Sequence, residues 1–426
     1  MREAATVTPM RDQEPAPGGP ERRLSTKETA ELLGVKPETV YAYVSRGQLS
    51  SRRAPGGRGS TFDAADVEAL ARRNRRESAA SSATGGELSV RTRITLIEED
   101  RYFFRGVDAI ELAARHSYEE VAEWLWTGRL TPGVTLTAPE DTVAVASRAV
   151  NALPEHASPT DRLRVAAVAA AAEDPLRFDL SEEAVLGTAR ILIPTLVAAL
   201  PTMPFGHQDN GTLAHRLWGR LTGHEADEAS LRALDTALAL LVDHDLAAST
   251  LAVRVAASAR AHAYAAVSAG LGVLEGPLHG AASGLAHRLL LDVLEEGNAV
   301  PVIAAELRAG RRIPGLGHRL YPGEDPRARA LFALLEQVPR AESALLAARD
   351  IVATTARHTP LHANVDLALA VLTVSCGMPA TAGETIFAVA RTAGWIAHAL
   401  EEYGERPLRM RPSGHYVGPR PPQPVP

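Results

Sequence analysis

The chain has 426 residues, 46% of them apolar and only 4% aromatic, and a formal net charge of −6. That length exceeds one typical domain and the apolar fraction supplies a large core, which excludes a disordered or fibrous chain and predicts at least two domains. A single cysteine, Cys376, excludes an intramolecular disulfide. The lack of a signal-type apolar region or of about 18 uninterrupted apolar residues predicts a soluble, cytoplasmic protein.

Ala, Leu and Val fill most apolar positions, as in cores of closely approaching helices, so the expected fold is all-α. Residues 1–22, rich in Pro, Gly and Glu, read as a disordered tail. Residues 22–76 carry twelve Lys and Arg against six Asp and Glu, a charge of +6 that leaves −12 on the remainder, so a basic module is joined to an acidic globule. Within it, Ser25 or Thr26 caps a helix through Leu33 that Gly34 closes, and Pro37 opens a second helix that ends near Arg46-Gly47. Extended pieces at 49–53 and 60–62 flank a basic turn at Pro55-Gly56-Gly57, and a last helix runs from Asp63 to Arg76. Residues 23–76 resemble the small winged helix-turn-helix domains of the excisionase and MerR type. That resemblance implies DNA contact through Lys36, Thr39, Tyr41, Tyr43 and Arg46 on or beside the recognition helix and Arg52, Arg53 and Arg58 on the wing. A protein-interaction or vestigial module is the alternative.

Residues 77–89 are a Ser, Ala and Gly linker, and 90–426 form the larger region. A hairpin is predicted over 91–104 with its turn at 98–100. Helical spacing follows at 109–126, then near 140–152, 159–173, 181–199, 209–221, 227–241, 246–269, 279–296, 299–307, 326–337, 341–356, 363–376 and 381–403. No fixed-period repeat is visible, which argues against a solenoid.

Three segments set titratable side chains beside Gly or Pro: GPLHG at 276–280, GHRLYPGEDPR at 317–327 and NVD at 364–366. Together they hold a carboxylate, two histidines and an arginine, the parts of a site that removes a proton from carbon. A base must meet the carbon while donors meet the developing enolate oxygen. Asp366, near the start of a helix, is the candidate base. His279, expected to begin a helix whose N-terminus favours the neutral ring, is the candidate donor. His318 and Arg327, brought together by the intervening turn, suit a ketone oxygen and a carboxylate.

These phrases, in this order, resemble the citrate synthase family over about residues 90–418. Further matching segments are Leu241-Val-Asp-His-Asp-Leu-Ala-Ala-Ser-Thr250, Phe387 to His398 and Arg411-Pro412. The resemblance implies helical large and small domains, the small one roughly 275–385, and condensation of acetyl-CoA with oxaloacetate followed by hydrolysis to citrate and CoA. It makes His279, His318 and Asp366 the catalytic trio and His244, His318, Arg327 and Arg391 the oxaloacetate contacts. Arg411 is the arginine given to the neighbouring site of a homodimer. Arg311, Arg312, Gly315 and Gly317 are candidates for CoA, against a solvated charge pair for the two arginines. No cofactor and no metal site is expected, since zinc-type His spacing, a thiolate set and a Gly-rich phosphate loop are all missing from the sequence.

The wording departs from the family at Ala281-Ala282-Ser283, at Pro322 and after Asp366, where Leu367-Ala-Leu-Ala lacks an aromatic. The acyl group is therefore open, with propionyl-CoA and 2-methylcitrate as the alternative. A DNA-binding regulator with a metabolite-sensing domain competes from another class, although a sensor needs no proton-abstracting carboxylate. The other histidines, His116, His262 and His398 among them, read as surface or satisfied core residues.

Overall fold

The first helix begins where the sequence supplies its cap: Ser25 N donates to Glu28 Oε2 at 2.8 Å, and Glu28 N donates to Ser25 Oγ at 3.3 Å. The computed structural model describes residues 23–33, 35, 37–45, 49–53, 60–68, 70, 90–204, 211–276, 279–280, 282–410 and 416–423, and the chain divides into two units between Arg91 and Thr92. The expected tail, the linker, the helix-closing Gly34 and Gly47, the wing tip and the end of the helix toward Arg76 lie outside the described residues.

In the first unit β1 (Arg23–Ser25), α1 (Thr26–Leu33) and α2 (Pro37–Ser45) precede β2 (Ser51–Arg53) and β3 (Ser60–Asp63). The strands form an antiparallel sheet in the order β1-β3-β2, with Leu24 opposite Phe62 and Arg52 opposite Thr61. Residues 64–68 are helical. Leu24, Ala30, Val40, Leu49, Phe62, Val67 and Leu70 bury against one another, so this unit has its own small core.

The second unit opens with β4 (Thr95–Glu98), β5 (Arg101–Phe104) and β6 (Val107–Asp108), paired antiparallel in that order. The hairpin turns at Glu99-Asp100, where the sequence placed it. Tyr102 and Phe104 share its buried face, and Tyr102 Oη donates to Leu240 O at 3.1 Å. Helices follow: α3 (Ala109–Arg115), α4 (Tyr118–Thr127), α5 (Glu140–Asn151), α6 (Pro159–Glu173), α7 (Glu182–Ala199), α8 (Leu213–Leu221), α9 (Glu228–Leu241) and α10 (Ala248–Ser258). The remainder are α11 (Ala263–Leu274), α12 (Ala282–Glu296), α13 (Ala299–Arg308), α14 (Pro326–Leu335), α15 (Glu342–Ala356), α16 (Val365–Ser375) and α17 (Ala382–Tyr403).

Two expected helices are each two. The 109–126 segment breaks because His116 is extended and Ser117 opens a new capping box with Glu120. The 246–269 segment breaks at Arg260, whose φ is +62°. Its guanidinium donates to the Tyr403 and Glu405 carbonyls at 2.6 and 2.7 Å, and His262 Nδ1 then accepts from Ala265 N as the next cap. A left-handed residue and a new cap together override helical periodicity.

Helix α17 is buried around its circumference, as its apolar composition requires, and packs on α4, α7, α9, α10 and α11. Around α16 gather α12, α14 and α15. Fully burying each large apolar side chain contributes about 1.5–3 kcal/mol, so these two helices organise most of the core. No helix among the described residues is long and apolar enough to cross a membrane. Helix α11 approaches α17 closely at Gly270, where a Cβ would stand 2.8 Å from both Trp395 Cδ2 and Val253 Cγ2. Gly270→Ala is therefore expected to destabilise this unit by about 1–3 kcal/mol through overpacking, read as a lower urea midpoint with unchanged slope.

Candidate active site

The buried pair Asp325 and Arg327 organises the site. Asp325 caps α14: its Oδ1 accepts from Arg327 N and Nε, both at 3.0 Å, and its Oδ2 accepts from Arg327 Nη2 at 2.8 Å and from Val365 N at 3.1 Å. One carboxylate thus fixes an arginine and the first turn of α16. Arg327 is 2% exposed. Burial alone would weaken its charge, and the adjacent Asp325 more than restores it.

The 315–318 loop is laced to the segment before α16. Asn364 N donates to Gly315 O at 2.9 Å, Gly317 N to His362 O at 2.7 Å, and Asn364 Nδ2 to Gly317 O at 2.8 Å. Gly315 has φ +80°, and a Cβ there would come within 2.8 Å of Leu367 Cβ. Both glycines therefore serve this junction. Asn364 also caps α16 through Asp366 N at 3.0 Å, so Asp366 lies in the first turn and is not itself the cap. Burial pushes the Asp366 carboxyl up to about 6, with Arg327 opposing and Asp325 reinforcing the rise.

The same junction carries His318. Its Nδ1 accepts from Leu320 N at 3.1 Å, so the proton of a neutral ring sits on Nε2. Arg327 Nη2 stands 3.3 Å from that Nε2. Both ring nitrogens thus face donors and a neutral ring accepts at only one of them, so with Nδ1 taken by the Leu320 amide the Nε2 proton and Arg327 Nη2 crowd each other until an acceptor oxygen comes between them. Burial, then Arg327, pushes His318 down to about 4. His244 packs edge-on against His318 with ring centroids 5.2 Å apart, and its Nε2 lies 2.7 Å from Tyr321 Oη. Burial, then Arg327 and Arg391, holds His244 well below the usual range.

Arg391 enters from α17 and is 1% exposed. Its Nε donates to Leu241 O at 2.9 Å and its Cζ lies 4.5 Å from the centre of the Phe387 ring, yet its buried Nη2 has no hydrogen-bond partner among the described residues. Burial lowers its charge affinity to about 10, with Asp243 supporting the charge and Arg327 opposing it. A buried, unpaired guanidinium nitrogen is costly unless an anion meets it. His279 lies edge-on to Phe387 at 5.9 Å, and its Nε2 is 2.8 Å from Ser249 Oγ. It occupies a turn, since α12 starts only at Ala282. Burial and then Arg391, and not the expected helix N-terminus, push it down to about 4.

His244, His318, Arg327 and Arg391 are thus electrostatically coupled, with His279 tied to Arg391 and Asp366 to Arg327. Tyr321, Ser249 and Asp243 join them, though the sequence singled out none as a site residue. All three stood inside quoted phrases, and only their contacts distinguish them. Arg311 is exposed and paired in bidentate fashion with Glu306 at 2.6 and 2.8 Å, and Arg312 is exposed. In the first unit Thr39, Tyr41 and Tyr43 lie on α2, Tyr41 half-exposed, and Arg52 and Arg53 are exposed on β2. Arg411, Lys36, Arg46 and Arg58 lie outside the described residues. No His, Cys, Asp and Glu cluster suited to a metal occurs among the described residues.

The citrate synthase C-terminal domain model matches residues 84–413, and a helix-turn-helix domain model matches 23–75. The chain is 30% identical to citrate synthase 2 of Bacillus subtilis (strain 168) over 356 residues, covering 78% of this chain and 95% of that protein. It is 32% identical to citrate synthase of Haloferax volcanii over 359 residues, 78% and 94% of the two chains. A citrate synthase of Thermoplasma acidophilum, solved as a ternary complex with carboxymethyl coenzyme A and oxaloacetate, shares the fold. Its TM-score is 0.66 at 22% identity, over 82% of this chain and 98% of that one. Family match, relatives and fold agree over most of the length: the chain belongs to the citrate synthase family and carries an N-terminal helix-turn-helix domain.

Proposed function

We propose that the protein condenses acetyl-CoA with oxaloacetate and hydrolyses the citryl thioester to citrate and CoA, with His279, His318 and Asp366 as catalytic residues. The observation that supports this reading is the grouping of neutral His318 and a carboxylate pushed up to about 6, Asp366, around buried Arg327, and of neutral His279 by buried Arg391, whose Nη2 has no partner among the described residues.

Asp366 takes a proton from the methyl carbon. His279 donates to the thioester oxygen as the enolate forms, and for its Nδ1 to do so its Nε2 must accept from Ser249, which is within reach. The new carbanion attacks the ketone carbon of oxaloacetate. His318 Nε2–H holds the ketone oxygen and then protonates the alkoxide, while His244, Arg327 and Arg391 hold the carboxylates. Water then cleaves the thioester to release CoA. We assign residues 275–385 to the small domain, whose closure excludes solvent during condensation, and Arg311, Arg312 and the Gly315-to-Gly317 loop to the coenzyme side.

We further propose a homodimer in which Arg411 reaches the neighbouring site. Val168, Leu176 and Phe178, on and just after α6, are 61%, 75% and 65% exposed, an apolar surface that a second copy would cover. The first unit is proposed to bind DNA through α2 and its wing, supported by the exposed Arg52 and Arg53, and the protein to be cytoplasmic.

CoA release from acetyl-CoA with oxaloacetate tests the reaction, with propionyl-CoA run in parallel to report the size of the acyl pocket. Asp366→Ala is expected to lower turnover by at least about a hundredfold. Because Asp366 works as the carboxylate, kcat/KM should fall about tenfold per unit below pH 6 and level off above it, while the histidines near 4 stay neutral. No CoA release by the wild type overturns the proposal. Sedimentation should give about twice the 45.2 kDa chain mass, reduced toward one chain in Val168→Glu/Leu176→Glu. Gel shifts with promoter fragments should show binding that weakens steeply with salt, and no binding at low salt refutes the DNA reading.

A further inference from the structure

Asp243 precedes His244 in the short connection between α9 and α10 and has no part in the chemistry above. It is fully buried. Both of its oxygens are engaged: Oδ2 accepts from Thr95 Oγ1 at 2.5 Å and Oδ1 faces His398 Nε2 at 3.2 Å. The tautomer of His398 is set from its other side, where Arg254 Nη1 stands 2.9 Å from Nδ1. A guanidinium has only protons to give, so Nδ1 accepts and the ring proton on Nε2 goes to Asp243.

Arg254 is in turn held by Glu401 at 2.7 Å and Glu402 at 3.3 Å, and Glu402 takes Arg409 at 2.6 Å. Asp243 therefore ends a buried chain that fixes its orientation. Burial opposes its ionisation, but His398, Arg391 and Thr95 together hold its carboxyl below the usual range. Helix α17 touches this connection one turn beyond Arg391, where a Cβ on Gly394 would stand 3.0 Å from Asp243 Oδ1. Arg391 Nε is bonded to Leu241 O, two residues before Asp243. The carboxylate thus lies against the guanidinium's own support, with its lone pairs committed elsewhere.

We infer that Asp243 is a positioning residue of the keto-acid pocket, its anchored carboxylate balancing the charge of Arg391 and fixing the His244 backbone while leaving Arg391 Nη2 to the ligand. This rests on the proposed oxaloacetate site. An anion free to rotate would pair with Arg391 and compete with the substrate. An anion pinned by Thr95 and His398 does not. The other groups whose charge or ring reaches Arg391 or His244 are Arg327, His279, His318, Tyr102, Tyr321 and Phe387.

Two variants separate charge from anchorage. Asp243→Asn keeps both hydrogen bonds, the amide oxygen accepting from His398 and the amide nitrogen donating to Thr95, and removes only the charge. Asp243→Asn should leave the Arg391 charge uncompensated in the free protein, so saturating oxaloacetate, which supplies the missing anion, should raise the thermal midpoint by at least about 2 °C more in the variant than in wild type, with the KM for acetyl-CoA at pH 7.5 within about twofold of wild type.

Asp243→Ala also loses the anchorage and should weaken oxaloacetate binding at pH 7.5 by about ten- to a hundredfold, as outer supports of a binding group do. Equal oxaloacetate-induced rises of the thermal midpoint in wild type and Asp243→Asn overturn the inference. So does an equal rise in both substrates' KM in Asp243→Ala, which marks a merely structural role. Wild-type protein that binds oxaloacetate but releases no CoA defeats the proposed reaction and leaves this inference standing, whereas wild-type protein that binds none defeats both.

Discussion

The site depends on one carboxylate being shared. Asp325 accepts from three nitrogens of Arg327 and from the amide of Val365, so a single buried anion joins the start of α14 to the start of α16. Removing one partner of such a pair typically costs about 3–5 kcal/mol, because the other is left buried and uncompensated. Asp366 follows Val365 directly, and the loop bearing His318 is stitched to the same turn through Asn364. The positions of a carboxylate, a histidine and an arginine thus follow from one junction.

Burial then divides the labour among groups of ordinary chemistry. The same loss of hydration that raises Asp366 to about 6 lowers His279 and His318 to about 4, so the proposed base and donors occupy complementary forms over the same pH range. Ionised Asp366 carries a stability cost for this. With its folded value raised above that of the unfolded chain, it favours folding least above about pH 6. The lowered histidines act on the other side, since the unfolded chain binds more protons than the folded one as pH falls through 6.5 toward 4. Above about pH 6.5 the histidines are neutral in both states, so only the Asp366 term opposes the compact state where the site is proposed to work, and the burial of α16 and α17 offsets it.

A second buried network, from Arg409 through Glu402, Arg254 and His398 to Asp243 and Thr95, supports the opposite wall. It draws on the hairpin, α10, α17 and the segment after α17, elements far apart in sequence. Close contacts at Gly270, Gly315 and Gly394 let these elements meet at backbone distance, where any side chain would force them apart.

Much was legible before any coordinates. Alanine-rich composition and helical spacing specify an all-α region, and Ser25 and Pro37 mark helix starts because capping is a local interaction between residues at most three or four apart. The phrases around His279, His318, Arg327 and Asp366 pointed to the candidate site for the same reason: each places a titratable group at a loop or helix edge. The breaks at His116-Ser117 and Arg260 escaped because the periodic apolar pattern runs on through them. The source of the lowered His279 value, the burial of Arg391, the tautomer of His398 and the anchorage of Asp243 were decided only by tertiary structure. Each depends on charge and hydration at a distance, between residues up to about 150 positions apart, and no local pattern encodes which buried group will face which.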